Sequence, residues 1–380
     1  MKLIPRFQNV VDQREDLLII HELKNFPVFM GCVEHGPEDD ICADMTWTIS
    51  ENTGIIQLNK LIPLQILYQS EHDPGLIGGI WLQHAEEFAV FIKKFKPKSV
   101  LEIGGAHGIL SREYRQKDYI SWTVLEPNPS PAPGVDVDFI KGFFDEKFIL
   151  EHEVDTVVHS HLFEHVYYPS EFKRHISSFL NEGQNLIFSL PNMEEMLKRN
   201  YTNCLNFEHT IFLSEPYVEY FLSKNGFRLI EKKYFKDDHS IFYAFVKDSE
   251  AILSELPPGL YEHNKKLYLN YVQYLQKLIF NLNAKILKTK DNQQIYLFGA
   301  HVFAQSLIQF GLNTERIVNL LDNNINKQGL RLYGTNLSVE SPEILADVEN
   351  PIVIMKVGVY NNEIMEDILT NINPNSIFWE

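Results

Sequence analysis

Two carboxylates and a run of glycines are the first residues in this chain whose types and spacing can do chemistry. Near residue 99 the row reads SVLEIGGAHGIL: apolar and β-branched residues, an acid at Glu102, then Gly104, Gly105 and Gly108. That order predicts a strand that breaks into a tight turn and restarts as a helix, letting backbone N–H groups approach a ligand closely. The next predicted strand, SWTVLEPNPS, ends in Glu126. A carboxylate there can accept hydrogen bonds from the 2′- and 3′-hydroxyls of a ribose. No Lys-Ser or Lys-Thr follows the glycines, which excludes a triphosphate loop, and the Gly-x-Gly-x-x-Gly spacing of a dinucleotide site is absent. The plain alternative is a strand–turn–helix with no ligand, and Glu102 and Glu126 together count against it.

Histidines form the second group of candidates. His159, His161 and His165 fall at the mouth of another predicted strand. His161 and His165 are four apart and can share a helix face as metal ligands. A strand histidine with two loop neighbours is the simpler reading, and no metal is expected. His209 follows Glu208 directly, which sets a base beside a carboxylate. His107, inside the glycine turn, reads as a turn substitution and not as a catalyst.

These residues need a scaffold. The helical spacing of GIWLQHAEEFAVFIKKF precedes the glycine turn. DTVVHSHLFEHVYYPSEFKRHISSFL reads as strand, loop and helix, NLIFSLPNM and SIFYAFVKD as strands, and SEPYVEYFLSKNGF as a helix between them. Strands alternating with helices imply a mostly parallel α/β sheet. Upstream, WTISENTGIIQL reads as a hairpin. Downstream, ELPPGL punctuates the chain and a long amphipathic pattern follows in NKKLYLNYVQYLQKLIFNLNAKILK, read as core or interface. QQIYLFGAHVFAQSLIQFGL, RIVNLLDNN and NPIVIMKVG then repeat the strand–turn–helix layout as a second, smaller Rossmann-like unit.

The length of 380 residues predicts two or three domains. A net charge of −17 argues against a nucleic-acid binder. No signal-peptide layout and no apolar run of about 20 residues is present. The three cysteines, Cys32, Cys42 and Cys204, are scattered. Together these features lead us to expect a cytoplasmic protein with no membrane and no nucleic acid among its partners.

An acid in the first strand, a loose glycine turn and an acid ending the second strand form the arrangement of class I S-adenosylmethionine (SAM) methyltransferases. The whole chain, in one order, resembles the nucleotide-sugar C-methyltransferase family of deoxysugar biosynthesis. GIIQL with LYQS is similar to that family's GLVQL and the tyrosine–serine segment after it, which implies Tyr68 on the substrate. VLEIGGAHGIL resembles VLEIGCNDGTLL, and LEPNP resembles VEPA. These place Glu102, Gly104, Gly105, Gly108 and Glu126 on SAM. GFFD resembles the FF pair near the adenine, at Phe143 and Phe144. HSHLFEHVYYPSEF resembles the loop whose histidine faces the substrate, at His165, with His161 assigned to the cofactor. LPNMEEM and NFEHTIFLS resemble VPYLxDLI and IYHEHLSYFS, mapping the catalytic Glu-His pair onto Glu208 and His209 and a substrate contact onto Asn206. FGAHVFAQSLI and LLDNNINKQGLRLYGT resemble YGAxAKGNTLL and VVDRNPxKQGRYLPGT. Gly299, Ala300, His301, Asp322 and Lys327 then hold the nucleotide; the alternative is a unit that serves only packing or dimerisation.

The resemblance implies three domains: a small N-terminal one at 1–75, a SAM-dependent methyltransferase domain at 76–250 and a C-terminal Rossmann-like domain at 251–380. It also has departures. The family's N-terminal unit binds zinc through paired Cys-x-x-Cys motifs, but Ser50 and Thr53 stand at the second pair. The family's tyrosine before Glu-His is Asn206 here, and its HGGS is DDHS. The expected function is methyl transfer from SAM to a nucleotide-linked sugar. O-methylation with His209 as base is favoured, because C-methylation wants a donor near an enolate oxygen and the tyrosine is missing at 206. C-methylation of a keto-sugar is the alternative. A non-catalytic sugar-nucleotide binder with a vestigial SAM site is the alternative of another class. A homodimer is also expected.

Overall fold

The computed structural model describes residues 1–68, 78–116 and 119–380, apart from the side chains of 237 and 238. The expected boundary at 75/76, and the Gln69–Ser70 part of the LYQS segment, lie outside the described residues.

The chain begins with an antiparallel sheet of β1 (Leu17–Pro27), β2 (Cys42–Ser50) and β3 (Ile56–Leu58). The predicted hairpin is β2 and β3, in register Trp47↔Leu58 and Ile49↔Ile56. The free edge of β3 is taken by the chain just past His209: Leu58 N–H donates to Thr210 O, and Phe212 N–H donates to Ile56 O. The Glu208–His209 dipeptide is thereby tied to the N-terminal sheet.

Helix α1 (Gly79–Lys93) leads into a seven-stranded sheet. Its strands are β4 (Ser99–Ile103), β5 (Ser121–Glu126), β6 (Asp138–Lys141), β7 (Thr156–Ser160), β8 (Asn185–Pro191), β9 (Phe227–Phe235) and β10 (Ser240–Lys247). Helices α2 (Ile109–Arg115), α3 (Pro169–Phe179), α4 (Met193–Lys198) and α5 (Glu215–Ser223) connect them. The order is β9-β10-β8-β7-β4-β5-β6. Every pairing from β8 to β6 is parallel, whereas β10 runs antiparallel to both its neighbours. Sequence order reverses at β4, flanked by β5 and β7, and ligands of open α/β sheets bind beyond the carboxyl ends of strands at such a point. Strand β9, FRLIEKKYF, escaped the sequence reading; Arg228 and the run Glu231–Lys233 break up the apolar pattern that marked β10.

The long apolar pattern forms one helix, α6 (Leu260–Lys288). Beyond it lie β11 (Ile295–Phe298), α7 (Val302–Gln309), β12 (Ile317–Leu321), β13 (Val339–Glu340), β14 (Ile352–Ile354), α8 (Asn361–Asp367) and β15 (Ile377–Trp379). The five strands make an all-parallel sheet ordered β13-β12-β11-β14-β15. The edge strands β13 and β15 had no sequence signal strong enough to be read.

The largest core is shared. Trp47 and Leu58 of the N-terminal sheet, Tyr268 and Leu275 of α6, and Leu297 and Leu320 of the C-terminal sheet are all buried in one cluster. Polar contacts add to it: the Arg331 guanidinium donates to both Asp40 oxygens at 2.7 and 2.8 Å, and Gln305 Nε2 donates to Phe29 O and Tyr333 O. The C-terminal unit therefore holds the loop after β1 in place. In the stretch that resembles the zinc-binding unit, Ser50 Oγ donates to Asp16 Oδ2 at 2.7 Å and lies 2.9 Å from Thr53 Oγ1. Hydroxyls knotted to a carboxylate do not supply the thiolates of a structural zinc site.

Candidate active site

The turn after β4 is built by sterics. Gly104 and Gly108 adopt left-handed φ of +70° and +73°, and Gly108 sits at the start of α2. A Cβ on Gly105 would lie 2.7 Å from Val124 Cγ1 and 2.8 Å from Glu102 Cδ, and one on Gly108 would lie 2.7 Å from Val135 Cγ1. Side chains are thus excluded where the backbone presses onto the sheet. Glu126, half-buried at the end of β5, accepts from Ala106 N at 3.0 Å on one oxygen and from Asn128 N at 3.1 Å on the other. Each oxygen keeps lone-pair capacity for a further donor. An acceptor-only group so fixed at the switch point fits the ribose of SAM, whose sulfonium supplies an electrophilic methyl group when it is bound.

Glu102 is corrected from a cofactor contact to a support. It is 2% exposed, accepts from Trp122 Nε1 at 2.8 Å and lies under Gly105. Burial pushes its carboxyl up to about 8, against the pull of the Trp122 N–H. Of the phenylalanine pair, Phe143 is exposed, while Phe144 packs on His175, Phe148, Phe172 and Phe179. The Phe144 ring is committed to the back of α3.

On the other side of the switch point, the turn after β7 carries Phe163–His165. His165 Nδ1 is 3.1 Å from Tyr68 Oη and 3.5 Å from Glu208 Oε2, and its Nε2 is 3.6 Å from Glu164 Oε1. Burial works against its charge, but Glu164 and Glu208 outweigh it and hold this imidazole above its ordinary value. Tyr68 also reaches toward the cofactor side, since its carbonyl oxygen is 3.5 Å from Asn128 Nδ2. The structure thus brings Tyr68, His165, Glu208 and His209 together, as the sequence implied, but pairs them differently.

The expected Glu208–His209 couple is not formed. The Glu208 carboxylate faces His165, and His209 Nδ1 instead lies 3.3 Å from Cys204 O and 3.2 Å from Asn206 Nδ2. Adjacent residues point apart because Asn206 Oδ1 caps the turn, accepting from both Glu208 N and His209 N. Burial and neighbouring His165 lower the His209 imidazole to about 3. His209 therefore lacks the Glu208 partner predicted for it. Asn206 is likewise corrected from substrate contact to turn residue, being 2% exposed with both ends of its amide bonded.

His161 Nε2 is 2.8 Å from Ser240 Oγ, and its ring packs against Trp81, His84 and His239. The sequence reading singled out none of these three partners, which come from α1 and the segment before β10. It also passed over Glu164, although HLFEH sets it between His161 and His165.

In the C-terminal unit Asp322 directly follows β12. It accepts from Ala300 N and Asn324 N, both at 2.9 Å, and Lys327 Nζ is 3.7 Å away. Gly299 has φ +95°, and a Cβ there would meet Val357 Cγ1 at 2.5 Å. His301 precedes α7 at its N-cap. Thr202 Oγ1 donates to Lys356 O, so this unit touches the segment that follows α4 of the methyltransferase sheet.

Residues 82–232 match a family model described as a methyltransferase domain, and residues 253–374 match one described as a C-methyltransferase C-terminal domain. No curated protein matches. Among solved structures, a putative SAM-dependent methyltransferase from Listeria monocytogenes is 12% identical with a TM-score of 0.35, covering 44% of this chain and 99% of its own. A magnesium protoporphyrin IX methyltransferase from Synechocystis PCC 6803, with bound SAH, is 15% identical with a TM-score of 0.35, covering 46% and 90%. Human N-acetylserotonin methyltransferase, in complex with SAM, is 15% identical with a TM-score of 0.38, covering 44% and 53%. With the strand order above, the domain matches identify a SAM-dependent methyltransferase of class I fold that carries a C-methyltransferase C-terminal domain; SAM is its cofactor. No helix among the described residues is long and apolar enough to cross a membrane.

Proposed function

We propose that this SAM-dependent methyltransferase methylates a sugar carried on a nucleotide, at a carbon next to a ketone. The observation that carries the reading is the pair of carboxylate-anchored turns, one at Glu126, beside the polar cluster at the carboxyl end of β7, and one at Asp322 in the C-terminal unit. Glu126 takes the ribose of SAM. Asp322, Gly299 and Ala300, with His301 at the start of α7, take the ribose of the substrate nucleotide, and Lys327 takes a phosphate. Tyr68, His165 and Glu208 then face the acceptor sugar, and Tyr68 supplies the hydroxyl donor that Asn206 cannot. The α-proton passes to the Glu208 carboxylate beside His165 and Tyr68, and the carbon then takes the methyl in an in-line displacement that breaks its bond to sulfur and leaves S-adenosylhomocysteine, so these residues also hold acceptor and methyl near contact. The C-methyltransferase description of residues 253–374 supports carbon as the acceptor.

A second reading, O-methylation of a sugar hydroxyl, rests on the loss of the tyrosine at 206. Isotope exchange separates the two. Incubated in D2O with a keto-sugar nucleotide and S-adenosylhomocysteine, the full chain should exchange the proton on the carbon to be methylated. Labelled SAM should then place its methyl on that carbon. Turnover with no exchange and with the label on oxygen would establish the second reading. No transfer to any of a panel of nucleoside diphosphate sugars would remove both.

A further inference from the structure

Glu164 is the least explained group in the site. It is 1% exposed, and neither carboxylate oxygen has a hydrogen-bond partner among the described residues. Leaving a carboxylate so buried is costly unless something cationic completes it, either a protonated His165 ring at ion-pair distance or a bound cation. Its nearest polar neighbours are imidazoles: Oε1 is 3.6 Å from His165 Nε2 and 3.6 Å from His161 Nδ1. Those gaps are too long for hydrogen bonds. They do match the spacing of two ligands on one ion, because donors about 2.1 Å from a shared tetrahedral centre stand about 3.4 Å apart. One ligand atom from each of Glu164, His165 and His209 lies within 4.8 Å of the others.

The outer contacts fit the same purpose. His165 Nδ1 is engaged by Tyr68 Oη, and His209 Nδ1 faces Cys204 O and Asn206 Nδ2. Both rings therefore have Nδ1 engaged and Nε2 left as the remaining donor atom. Such second partners fix the tautomer and ring orientation of metal-binding histidines. The turn that separates Glu208 from His209 gains a reason: it carries one residue to the outer contacts and the other to the centre.

We propose that Glu164, His165 and His209 bind a divalent first-row transition cation, with open positions that take two neighbouring oxygens of the acceptor. Two imidazoles and a carboxylate suit zinc and its neighbours better than magnesium or calcium. The acceptor part rests on the proposed function and narrows it to a sugar with adjacent oxygens, such as an α-hydroxy ketone. The cation site stands without it.

The test uses the full chain, stripped with a chelator and titrated with Zn2+ or Co2+. One equivalent should bind, Co2+ should give a visible ligand-field band, and Glu164→Gln and His209→Asn should each abolish both signals. Circular dichroism and SAM calorimetry on these variants should show an intact fold and cofactor site. Tyr68→Phe, which keeps all three ligands, should weaken the cation by roughly 10–100-fold. The proposal is overturned by absence of saturable binding to the stripped chain, or by binding that survives both ligand variants. SAM-dependent transfer to a nucleotide sugar without the cation would refute the acceptor role alone. A bound cation with no transfer to any nucleotide sugar would refute the substrate reading and leave the site.

Discussion

Glu126 ends the second strand of the mixed seven-stranded sheet, Asp322 directly follows the second strand of the parallel C-terminal sheet, and the backbone around each is almost the same. Gly104 N–H donates to Leu125 O, and Gly299 N–H donates to Leu321 O, both at 2.8 Å. Each acid then accepts one N–H from the turn and one from two residues further along its own strand end, Asn128 or Asn324. The turns differ by one residue: Glu126 reaches Ala106, two past its glycine, and Asp322 reaches Ala300, one past. The extra methylene of glutamate matches the longer turn. The larger difference is charge. Among the described residues, no cation is recorded within salt-bridge distance of Glu126, whereas Lys327 stands 3.7 Å from Asp322. One carboxylate is left to bind hydroxyls alone, and the other sits beside a group that attracts phosphate. This fits a cofactor without phosphates on one sheet and a nucleotide diphosphate on the other.

The largest effect should come from removing one acid at a time. Glu126→Ala loses two charge-assisted hydrogen bonds to the ribose, each about 1.5–3 kcal/mol, so SAM affinity by calorimetry should fall roughly a hundredfold or more. Asp322→Ala should leave that affinity unchanged and raise KM for the nucleotide-linked substrate. If both variants weaken SAM equally, the two turns do not divide the ligands as proposed. Point variants suit this test better than deleting residues 251–380, because the core shared by the N-terminal sheet, α6 and the C-terminal sheet would open.

Next in size is the glycine contrast. Gly105→Ala forces a methyl against buried Val124 and the Glu102 carboxyl. Overpacking of this kind costs about 1–3 kcal/mol, and the turn must shift, so both melting temperature and SAM affinity should drop. Ala300 already carries a Cβ at the matching turn and is fully buried. Ala300→Gly should therefore leave SAM binding unaltered, and a loss there would break the comparison.

What the sequence made legible was local. The strand–glycine–helix at 99–115, the acid ending each second strand, and the HLFEH turn all read from spacing within a few residues. Side-chain pairings between distant segments did not read. Tyr68 meets His165 across 97 positions, Arg331 meets Asp40 across 291, and His161 meets Ser240 across 79. Adjacency misled at Glu208–His209, where one capping amide turns neighbours to different partners. The shared core was hidden for a related reason: an amphipathic stripe says that a face is buried, not what buries it.

The two sheets should also part company in acid. Burial lowers His84, beside His239, and His159 to about 3, so both are neutral in the folded chain at neutral pH. In the unfolded chain they titrate near 6.5. The unfolded state then binds more protons below pH about 6.5, and stability falls by about 1.4 kcal/mol per pH unit for each group. His165, held above its ordinary value, runs the other way: its contribution is present in acid and lost as pH rises. The strands of the C-terminal sheet contain no histidine. Hydrogen exchange at pH 5 against pH 7.5 should show Thr156–Ser160 losing protection before Ile295–Phe298. Equal loss in both would mean that the shared core, not the buried imidazoles, governs acid unfolding.

The smallest expected effect is the most local. His159 lies in β7, fully buried, stacked on Phe188 at 4.7 Å and edged by Phe163 and Phe172. Neither ring nitrogen has a hydrogen-bond partner among the described residues. In the corresponding strand of the other sheet, β14, the residues are Ile352, Val353 and Ile354. An unbonded buried polar group costs about 1–3 kcal/mol, and losing the stacked ring returns part of that, about 1 kcal/mol. His159→Leu should therefore raise stability by about 1 kcal/mol at pH 7.5, with SAM affinity unchanged. Because the variant also removes one proton-binding difference, its advantage should widen by about 1.4 kcal/mol for each pH unit below 6.5. Denaturant melts at three pH values measure this directly. A constant advantage would mean that His159 is solvated or bonded in the folded chain. A loss of stability at every pH would mean that the ring stack outweighs the unmet nitrogens.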